Sequence, residues 1–432
     1  MSDAGRTGWL FAAAFLIRLI AWMGAGIFGT DSCHYLLMAD WLREGRFSDA
    51  LSIPYHPFYP LLTAVASLPF GHSAAAGALV SILLGSAAVL PLHGLVRSVF
   101  GRPEAFIAGL LYAFNPSIIE VQSDVMTEGT FLFFFVGSIW LAWRQLEEPT
   151  VARAVTLGAG AAAAFLTRPE GLLAVAFGVG WPIAAAVVRS GRRGLLLGGA
   201  GISLAVVLVL VFPYLAWIRS SKGHWDLSMR PSVGSAVRSA GLLLGPVPEG
   251  EPLAGASMVG VFKSLVRLTY LVTIPFYLVG IVALRKRRAA PVVFLLSYPL
   301  AYLGAVMITL RVHDFLSPRY LIPVMTLATG IAALGVTTTL RWGLARPALA
   351  GRVALAGPAL VLAVAVLPCV KVFTLNRWEC RSYRDAARWI EERGRPRALS
   401  GPVQQVAYLT GCRSVYSAMT PEGVREQVAR DH

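Results

Sequence analysis

Few side chains in this sequence are polar, but five of them could act together shortly after the first apolar segment. Asp31 precedes His34 and Tyr35 by three and four residues, so a helix would turn all three to one face. His56 and Tyr59 follow in a proline-rich turn. A carboxylate can accept the proton of a hydroxyl group within hydrogen-bonding distance. We therefore predict Asp31 as a general base and the other four residues as substrate contacts.

A purely structural interpretation of this stretch stays open. Thr30 would be a good N-cap, and the helix macrodipole favours an acid such as Asp31 in the first turn. His56 could be no more than a turn residue. A catalytic role is favoured by the position of Asp31 just outside the membrane, where the head group of a lipid-borne substrate would lie.

A second pair of acids stands at the start of a later apolar run. Asp124 and Glu128 are four residues apart, so a helix would place both on one face. They could be ordinary acids of a helix start. Ionisable groups at membrane depth are costly, however, and tend to be functional. Glu128 lies closer to the apolar run, so we rank it above Asp124 and predict it as a second catalytic acid.

Two arginines, each at the boundary of an apolar run, are candidate phosphate ligands. Arg168 and Glu170 form a sharp turn between two runs, where they could simply pair with each other or with Asp124. Arg319 begins a later run and is followed by Tyr320. Arginine stays charged and binds phosphate through a planar fork. The alternative for Arg319 is an interfacial arginine beside a tyrosine of the aromatic belt.

The remaining sequence predicts an all-α polytopic membrane protein. Hydrophobic residues make up 56% of the 432 residues, charged residues 14%, and the mean hydropathy is +0.64. Apolar runs of about 20 residues can span a bilayer as helices. We predict about 11 such helices. They lie near residues 8–28, 74–96, 103–118, 128–145, 152–167, 170–188, 194–218, 264–284, 290–311, 319–340 and 352–372.

The basic residues predict the orientation. The formal net charge is +15, and arginine clusters at residues 189–193 and 285–288 fall in short gaps between apolar runs. This is the pattern of the positive-inside rule, which places the N-terminus in the cytoplasm and the C-terminus outside it. All the candidate site residues then lie on the outer side. The same pattern argues against nucleic acid as a partner.

The predicted spans divide the chain into a membrane domain, residues 1–375, and a small extracytoplasmic α/β domain, residues 376–432. The first outer loop, residues 29–73, holds the catalytic acid, and its apolar segment 58–70 is too short for a full span, so we predict an interfacial or re-entrant helix. A second outer loop, residues 219–263, is rich in Gly, Pro and Ser and predicted to be loop-like. In the tail, segments 398–400 and 403–409 could be strands. Cys380 and Cys412 could form a disulfide or stay free.

These motifs, in this order, resemble the GT-C superfamily of membrane glycosyltransferases, in particular bacterial relatives of the protein O-mannosyltransferase and aminoarabinose transferase family. The resembling elements are Asp31 with Tyr35 and Ala39, the segment 56–60, Glu128 between Thr127 and Gly129, Arg168 to Gly171, and Arg319 to Pro323. The sequence departs from many relatives in having Asp-Ser at positions 31–32 where they have Asp-Glu.

The resemblance implies an inverting transfer of a sugar from a polyprenyl-phosphate donor to a glycan, lipid or protein acceptor outside the cytoplasm. It further implies a location in the bacterial plasma membrane. In that interpretation Asp31 is the base, Arg319 and Arg168 stabilise the leaving phosphate, and no metal or cofactor is expected. Two alternatives remain: a transporter or flippase for a lipid-linked glycan, and a non-catalytic subunit that only binds the lipid.

Overall fold

A computed structural model describes residues 3–25, 28–69, 71, 73–229, 253–313, 317–374, 378–394, 398–400, 404–411 and 413–415. Within these ranges the chain is predominantly helical, as its composition predicts. The helices of the bundle are α1 (Asp3–Ala25), α5 (Ser73–Ala87), α6 (Val89–Val99), α7 (Arg102–Ala113), α8 (Pro116–Gln122), α9 (Glu128–Glu147), α10 (Val151–Thr167), α11 (Leu172–Val188), α12 (Arg193–Lys222), α13 (Leu253–Thr269), α14 (Ile274–Leu284), α15 (Ala289–His313), α16 (Ile322–Leu344) and α17 (Pro347–Val366).

The polytopic fold class is confirmed, whereas the predicted number of about 11 spans is not. Among the described residues, seven helices are long and apolar enough to cross a membrane, and two bent pairs raise the number to nine. The pairs bend by 59° between α7 and α8 and by 84° between α13 and α14. Helix α10 has only 17 residues, so the length rule excludes it although it lies in the bundle.

The first outer loop folds into three short helices: α2 (Thr30–Arg43), α3 (Phe47–Ser52) and α4 (Phe58–Ser67). The N-cap of α2 is Gly29, so the assignment of Thr30 to that position was wrong by one residue. Helix α4 has ten residues, too few to cross a bilayer, and packs against α2 and α5. The loop is thus a helical layer against one end of the bundle.

The prediction that residues 219–263 form a loop is wrong at both ends. Helix α12 continues to Lys222 and stops at Gly223, whose φ of +74° suits a glycine C-cap. Helix α13 begins at Leu253, because the apolar residues from there onward outweigh the Gly and Pro content of the loop. Residues 230–252 lie outside the described ranges.

The tail contains α18 (Trp378–Glu392), β1 (Ala398–Ser400), α19 (Gln404–Thr410) and β2 (Arg413–Val415). The strand prediction for 398–400 is confirmed, but the one for 403–409 is wrong because most of that segment forms α19. The two strands pair in parallel, and a parallel pair requires a crossover such as this helix. The predicted Cys380–Cys412 pairing falls outside the described side chains.

Helix α19 fastens the tail to the first outer loop. The Tyr408 hydroxyl donates to Asp40 Oδ2 of α2 at 3.0 Å, and its ring meets Phe28 edge-on with centroids 5.7 Å apart. Burial and the neighbouring Asp40 carboxylate raise the pKa of this hydroxyl well above its usual range, so it stays a donor. The tail therefore contacts the helix that begins with Asp31.

Candidate functional site

An ion pair joins two distant parts of the chain at the candidate site. Arg319 donates through Nη2 to Asp31 Oδ2, although 288 residues separate the two positions. Arg319 Nε also lies 3.8 Å from Glu128 Oε1, which is an ionic contact beyond hydrogen-bonding distance. The structure thus brings together the predicted base, the predicted phosphate ligand and the second predicted acid.

Arg168 extends this chain of charges through three hydrogen bonds. Its Nη1 donates to Glu128 Oε1 at 2.9 Å, while Nη2 and Nε donate to the two carboxylate oxygens of Glu170 at 3.0 and 3.3 Å. The guanidinium lies between two rings, with its Cζ 5.6 Å from the centroid of Phe131 and 5.5 Å from that of Tyr320. All three nitrogens of Arg168 are therefore engaged, as the structural interpretation of this residue predicts.

The five charged residues alternate in sign along the row Glu170, Arg168, Glu128, Arg319 and Asp31, and their exposure is lowest at Glu128 in the middle. The Glu128 side chain is 4% exposed and Arg168 12%, whereas Glu170, Arg319 and Asp31 are 23%, 26% and 30% exposed. Three carboxylates face two guanidinium groups, so one negative charge is left uncompensated within the cluster. Asp31 is its most accessible member.

Four chain segments converge to build this cluster. Asp31 lies in the first turn of α2, and Glu128 is the first residue of α9. Arg168 and Glu170 occupy the turn between α10 and α11, and Arg319 lies in the 3-10 turn that precedes α16. Segment ends can place charged groups beside one another without putting them in the middle of an apolar helix. The cluster consequently sits at a single end of the bundle.

Asp124 has a different role from the one its spacing predicts. Helix α9 begins only at Glu128, so the two acids do not share a helical face. The Asp124 carboxylate instead accepts from the backbone N–H of Gly29 at 3.1 and 3.3 Å and from the Ser32 hydroxyl at 3.4 Å. It also accepts from the N–H of Val125 at 2.7 Å. Asp124 therefore anchors the start of α2 and with it Asp31.

The predicted tyrosines and His34 form an aromatic layer behind Asp31. Tyr35 meets Tyr55 and Tyr59 edge-on, with centroids 4.9 and 5.4 Å apart, and His34 lies 5.5 Å from Tyr55. Burial first, and then the nearby charge of Glu128, raises the pKa of Tyr35 well above its usual range. The Tyr59 hydroxyl bonds the carbonyl of Gly77 at 3.0 Å, inside the fold. Tyr35 is thus closer to the charges than Tyr59 is.

His56 is buried among aromatic side chains. It is 4% exposed, and its ring lies 5.2 Å from Phe165 and 5.3 Å from Tyr214. An electrostatic interaction links His56 with Glu170, so His56 borders the far side of the cluster. His56 lies in the turn that precedes α4 and is buried there.

Two neighbours of the cluster carry no signal in the sequence. Tyr302 of α15 is fully buried, and the charges of Glu170 and Arg168 act on its hydroxyl. That hydroxyl has no hydrogen-bond partner among the described residues. Met126 places its sulfur 3.9 Å from Arg319 Nη1. Tyrosine and methionine are common in protein cores, so neither residue stands out as a site residue by its type.

One family of known sequences matches part of the chain. Residues 54–217 match the family described as dolichyl-phosphate-mannose-protein mannosyltransferase. The match covers a little over a third of the chain and includes Glu128 and Arg168, but neither Asp31 nor Arg319. A comparison with curated proteins gives no sequence match.

Solved structures resemble most of the chain. The oligosaccharyltransferase of Archaeoglobus fulgidus, solved with zinc and sulfate, has a TM-score of 0.66 and 17% identity over 94% of this chain. The chain covers 62% of that enzyme's length. ArnT from Cupriavidus metallidurans has a TM-score of 0.66 and 15% identity, covering 100% of this chain and 89% of ArnT. The structure of ArnT bound to undecaprenyl phosphate has a TM-score of 0.65 and 16% identity, covering 98% of this chain and 88% of ArnT.

These matches confirm the predicted resemblance to GT-C membrane glycosyltransferases and the polytopic helical fold. At such low identities, the structural likeness establishes a shared fold. Among the described residues, no three His, Cys, Asp or Glu side chains are grouped so that they could hold a metal ion.

Proposed function

We propose that this chain is an inverting membrane glycosyltransferase that moves a sugar from a polyprenyl-phosphate donor to an acceptor, with Asp31 as general base. The observation that carries the proposal is the contact between Asp31 and Arg319. The family match and the fold shared with ArnT, solved with undecaprenyl phosphate, support a lipid-linked donor. Because that donor is a substrate, the proposal adds no cofactor.

Asp31 has the geometry of a base. It is the most exposed charged residue of the cluster, and Arg319 donates to only one of its carboxylate oxygens, Oδ2. Among the described residues no hydrogen bond occupies Oδ1, which leaves that oxygen for an acceptor hydroxyl or amine. Proton transfer to such a positioned carboxylate typically accelerates a reaction by about 10²–10⁴-fold.

Arg319 is better placed than Arg168 to bind the donor phosphate. Among the described residues its Nη1 contacts the sulfur of Met126 at 3.9 Å, a weak contact that a phosphate oxygen can replace. The three nitrogens of Arg168 are held by Glu128 and Glu170. A guanidinium with a free edge binds phosphate through charge-assisted hydrogen bonds. We therefore assign phosphate binding to Arg319 and the support of Glu128 to Arg168.

The proposed reaction is a single displacement. The acceptor O–H or N–H bond breaks as its proton passes to Asp31, and the acceptor atom forms a bond to the anomeric carbon. The bond from that carbon to the phosphate oxygen breaks on the opposite face, and its electron pair leaves with polyprenyl phosphate. Arg319 stabilises the charge that grows on the leaving oxygen. Inversion at the anomeric carbon follows from this geometry.

Glu128 acts in this scheme as a positioning residue. Its Oε1 is shared between Arg168 at 2.9 Å and Arg319 at 3.8 Å, and its side chain is almost fully buried. A buried carboxylate between two guanidinium groups fixes their separation, because moving either group would leave the charge unpaired. The acid predicted to be catalytic is thus proposed to aim Arg319 at the donor.

The proposal places this chemistry on the outer side of a bacterial plasma membrane, with the N-terminus in the cytoplasm. Support comes from the basic clusters at residues 189–193 and 285–288. A lipid-borne donor would reach the cluster from the bilayer, and the acceptor would come from the aqueous side. A glycan, a lipid or a protein is proposed as the acceptor.

Mass spectrometry of polyprenyl-phosphate sugars and surface glycans can test the function. Cells that carry the wild-type chain are compared with cells that lack it and with cells that carry Asp31→Asn. We expect both altered strains to accumulate the sugar-charged lipid and lose one glycan modification. The matched control is Asp49→Asn, an exposed acid of the same outer loop that pairs with Arg46. The control strain should match wild type.

The same experiment separates the alternatives. If the chain were a flippase, a different enzyme would attach the sugar, and Asp31→Asn cells would still do so whenever the lipid reached the outer leaflet. For a silent lipid-binding subunit, the purified chain would bind donor but release no sugar from it. Normal glycans in the Asp31→Asn strain would contradict the proposed role of this carboxylate.

A further inference from the structure

A second concave surface lies at the other end of the bundle, between α14 and α16. It encloses a cavity of about 690 Å³, with Leu278, Val282 and Leu334 among its apolar walls. Arg319 precedes α16 and Arg341 lies near its end, about 33 Å away at a helical rise of ~1.5 Å per residue. That distance matches the hydrocarbon thickness of a bilayer, about 30 Å. The cavity therefore opens at the membrane face opposite to the Asp31 cluster.

Two glycines bring the backbones of α14 and α16 into contact next to the wedge. A side chain at Gly280 would strike the backbone carbonyl of Ile331, and one at Gly335 would strike that of Phe276. The two backbones therefore touch at this level, which only small residues allow. Beyond the crossing the helices separate toward their C-terminal ends. The resulting wedge is lined by side chains and is open to the surrounding lipid, with Val282 61% exposed.

The mouth of this wedge is positively charged. Lys286, Arg287 and Arg341 line it, and the fully buried Glu104 accepts from both arginines at 3.4 and 2.9 Å. One carboxylate against three cations leaves two positive charges. Among the described residues, Lys286 takes part in no ion pair. The exposed ring of Trp342 stands at the same level, as aromatic side chains do at a membrane interface.

We propose that this wedge is a binding site for an anionic phospholipid of the leaflet opposite to the sugar-transfer site. The phosphate lies against Lys286 and Arg341, and an acyl chain fills the apolar part above Val282. Charge selects the occupant, because the two unbalanced cations favour a headgroup with net negative charge over a zwitterionic one. Glu104 holds both arginines at the mouth, so the positive edge exists before the lipid arrives.

Native mass spectrometry of the purified full chain tests this site. Protein from nanodiscs of phosphatidylcholine, with or without phosphatidylglycerol, is released and its retained lipids are counted. We expect one phosphatidylglycerol to be retained in preference to phosphatidylcholine. Lys286→Gln should weaken retention about fivefold, because each basic residue near the surface contributes about 1 kcal/mol to the attraction of anionic lipid. Val282→Trp should narrow the apolar part of the wedge and reduce retention.

Matched controls come from α17, which begins at the same face. Arg352→Gln removes an exposed cation, and Leu355→Trp enlarges a side chain that is 86% exposed, both outside the wedge. These two variants should retain the lipid as wild type does. Equal retention of phosphatidylcholine would overturn the proposal. So would unchanged retention in Val282→Trp, because the enlarged side chain obstructs the place assigned to the acyl chain.

Discussion

Replacing Arg168 by lysine tests whether the charged cluster supports the fold as well as the site. The substitution keeps the positive charge but removes the planar fork. Arginine donates to Glu128 at 2.9 Å and to both oxygens of Glu170 at 3.0 and 3.3 Å. A single ammonium group on a flexible stem cannot meet both carboxylates with this geometry. We expect two of the three hydrogen bonds to be lost.

The expected magnitude follows from burial. Hydrogen bonds to charged groups contribute about 1.5–3 kcal/mol each, so two lost bonds would cost about 3–6 kcal/mol. Water can reach Glu170, which is 23% exposed, and offsets part of this loss, whereas Glu128 is 4% exposed. The stacking of Arg168 between Phe131 and Tyr320 is also lost. We predict that the free energy of unfolding falls by about 3 kcal/mol.

Unfolding in mixed micelles, followed by tryptophan fluorescence, measures this free energy. The matched control is Arg153→Lys, since Arg153 pairs with the exposed Glu148 near the start of α10. Exposed pairs contribute little, so the control should unfold at the wild-type midpoint. A midpoint for Arg168→Lys that also equals wild type would refute the view that this fork stabilises the site.

Three further predictions concern other parts of the fold. Gly335→Ala should lower the thermal midpoint sharply because the added methyl group would strike the backbone of α14. Gly304→Ala should leave the midpoint unchanged because its added methyl group has no described atom within 4 Å. Burial raises the pKa of Cys33 to about 12, so in a single-cysteine variant maleimide labelling should stay minimal from pH 7 to pH 9. Tyr408→Phe removes the hydrogen bond to Asp40, so limited trypsin treatment should release the tail faster than from wild type.

Much of the candidate site could be predicted from the sequence, because charged residues in an apolar membrane chain are costly unless they lie together at the ends of the helices. Asp31, Glu128, Arg168 and Arg319 all fall at the ends of apolar runs on one predicted side, and they do form one cluster. Spacing misleads for Asp124, because the helix that would align it with Glu128 starts four residues later. Asp124 bonds the backbone of Gly29 instead, and no pattern in the sequence around Asp124 reveals such a distant partner.

Other features depend on contacts that no local pattern reveals. Tyr302 reaches the cluster from an apolar helix that reads as an ordinary span. Gly280 and Gly335 look unremarkable among many glycines until their helices cross. Residues 403–409 have a composition that suits a strand, but the parallel pairing of Ala398–Ser400 with Arg413–Val415 requires a crossover, which α19 supplies.

Donor binding and sugar transfer, measured on the same nanodisc preparations, test the central claim most directly. We predict that Asp31→Asn still binds a polyprenyl-phosphate sugar while its transfer rate falls about 10²–10⁴-fold. Arg319→Gln should instead weaken donor binding, because it removes the guanidinium proposed to hold the phosphate. Transfer at the wild-type rate by Asp31→Asn, or undiminished donor binding by Arg319→Gln, would contradict the account.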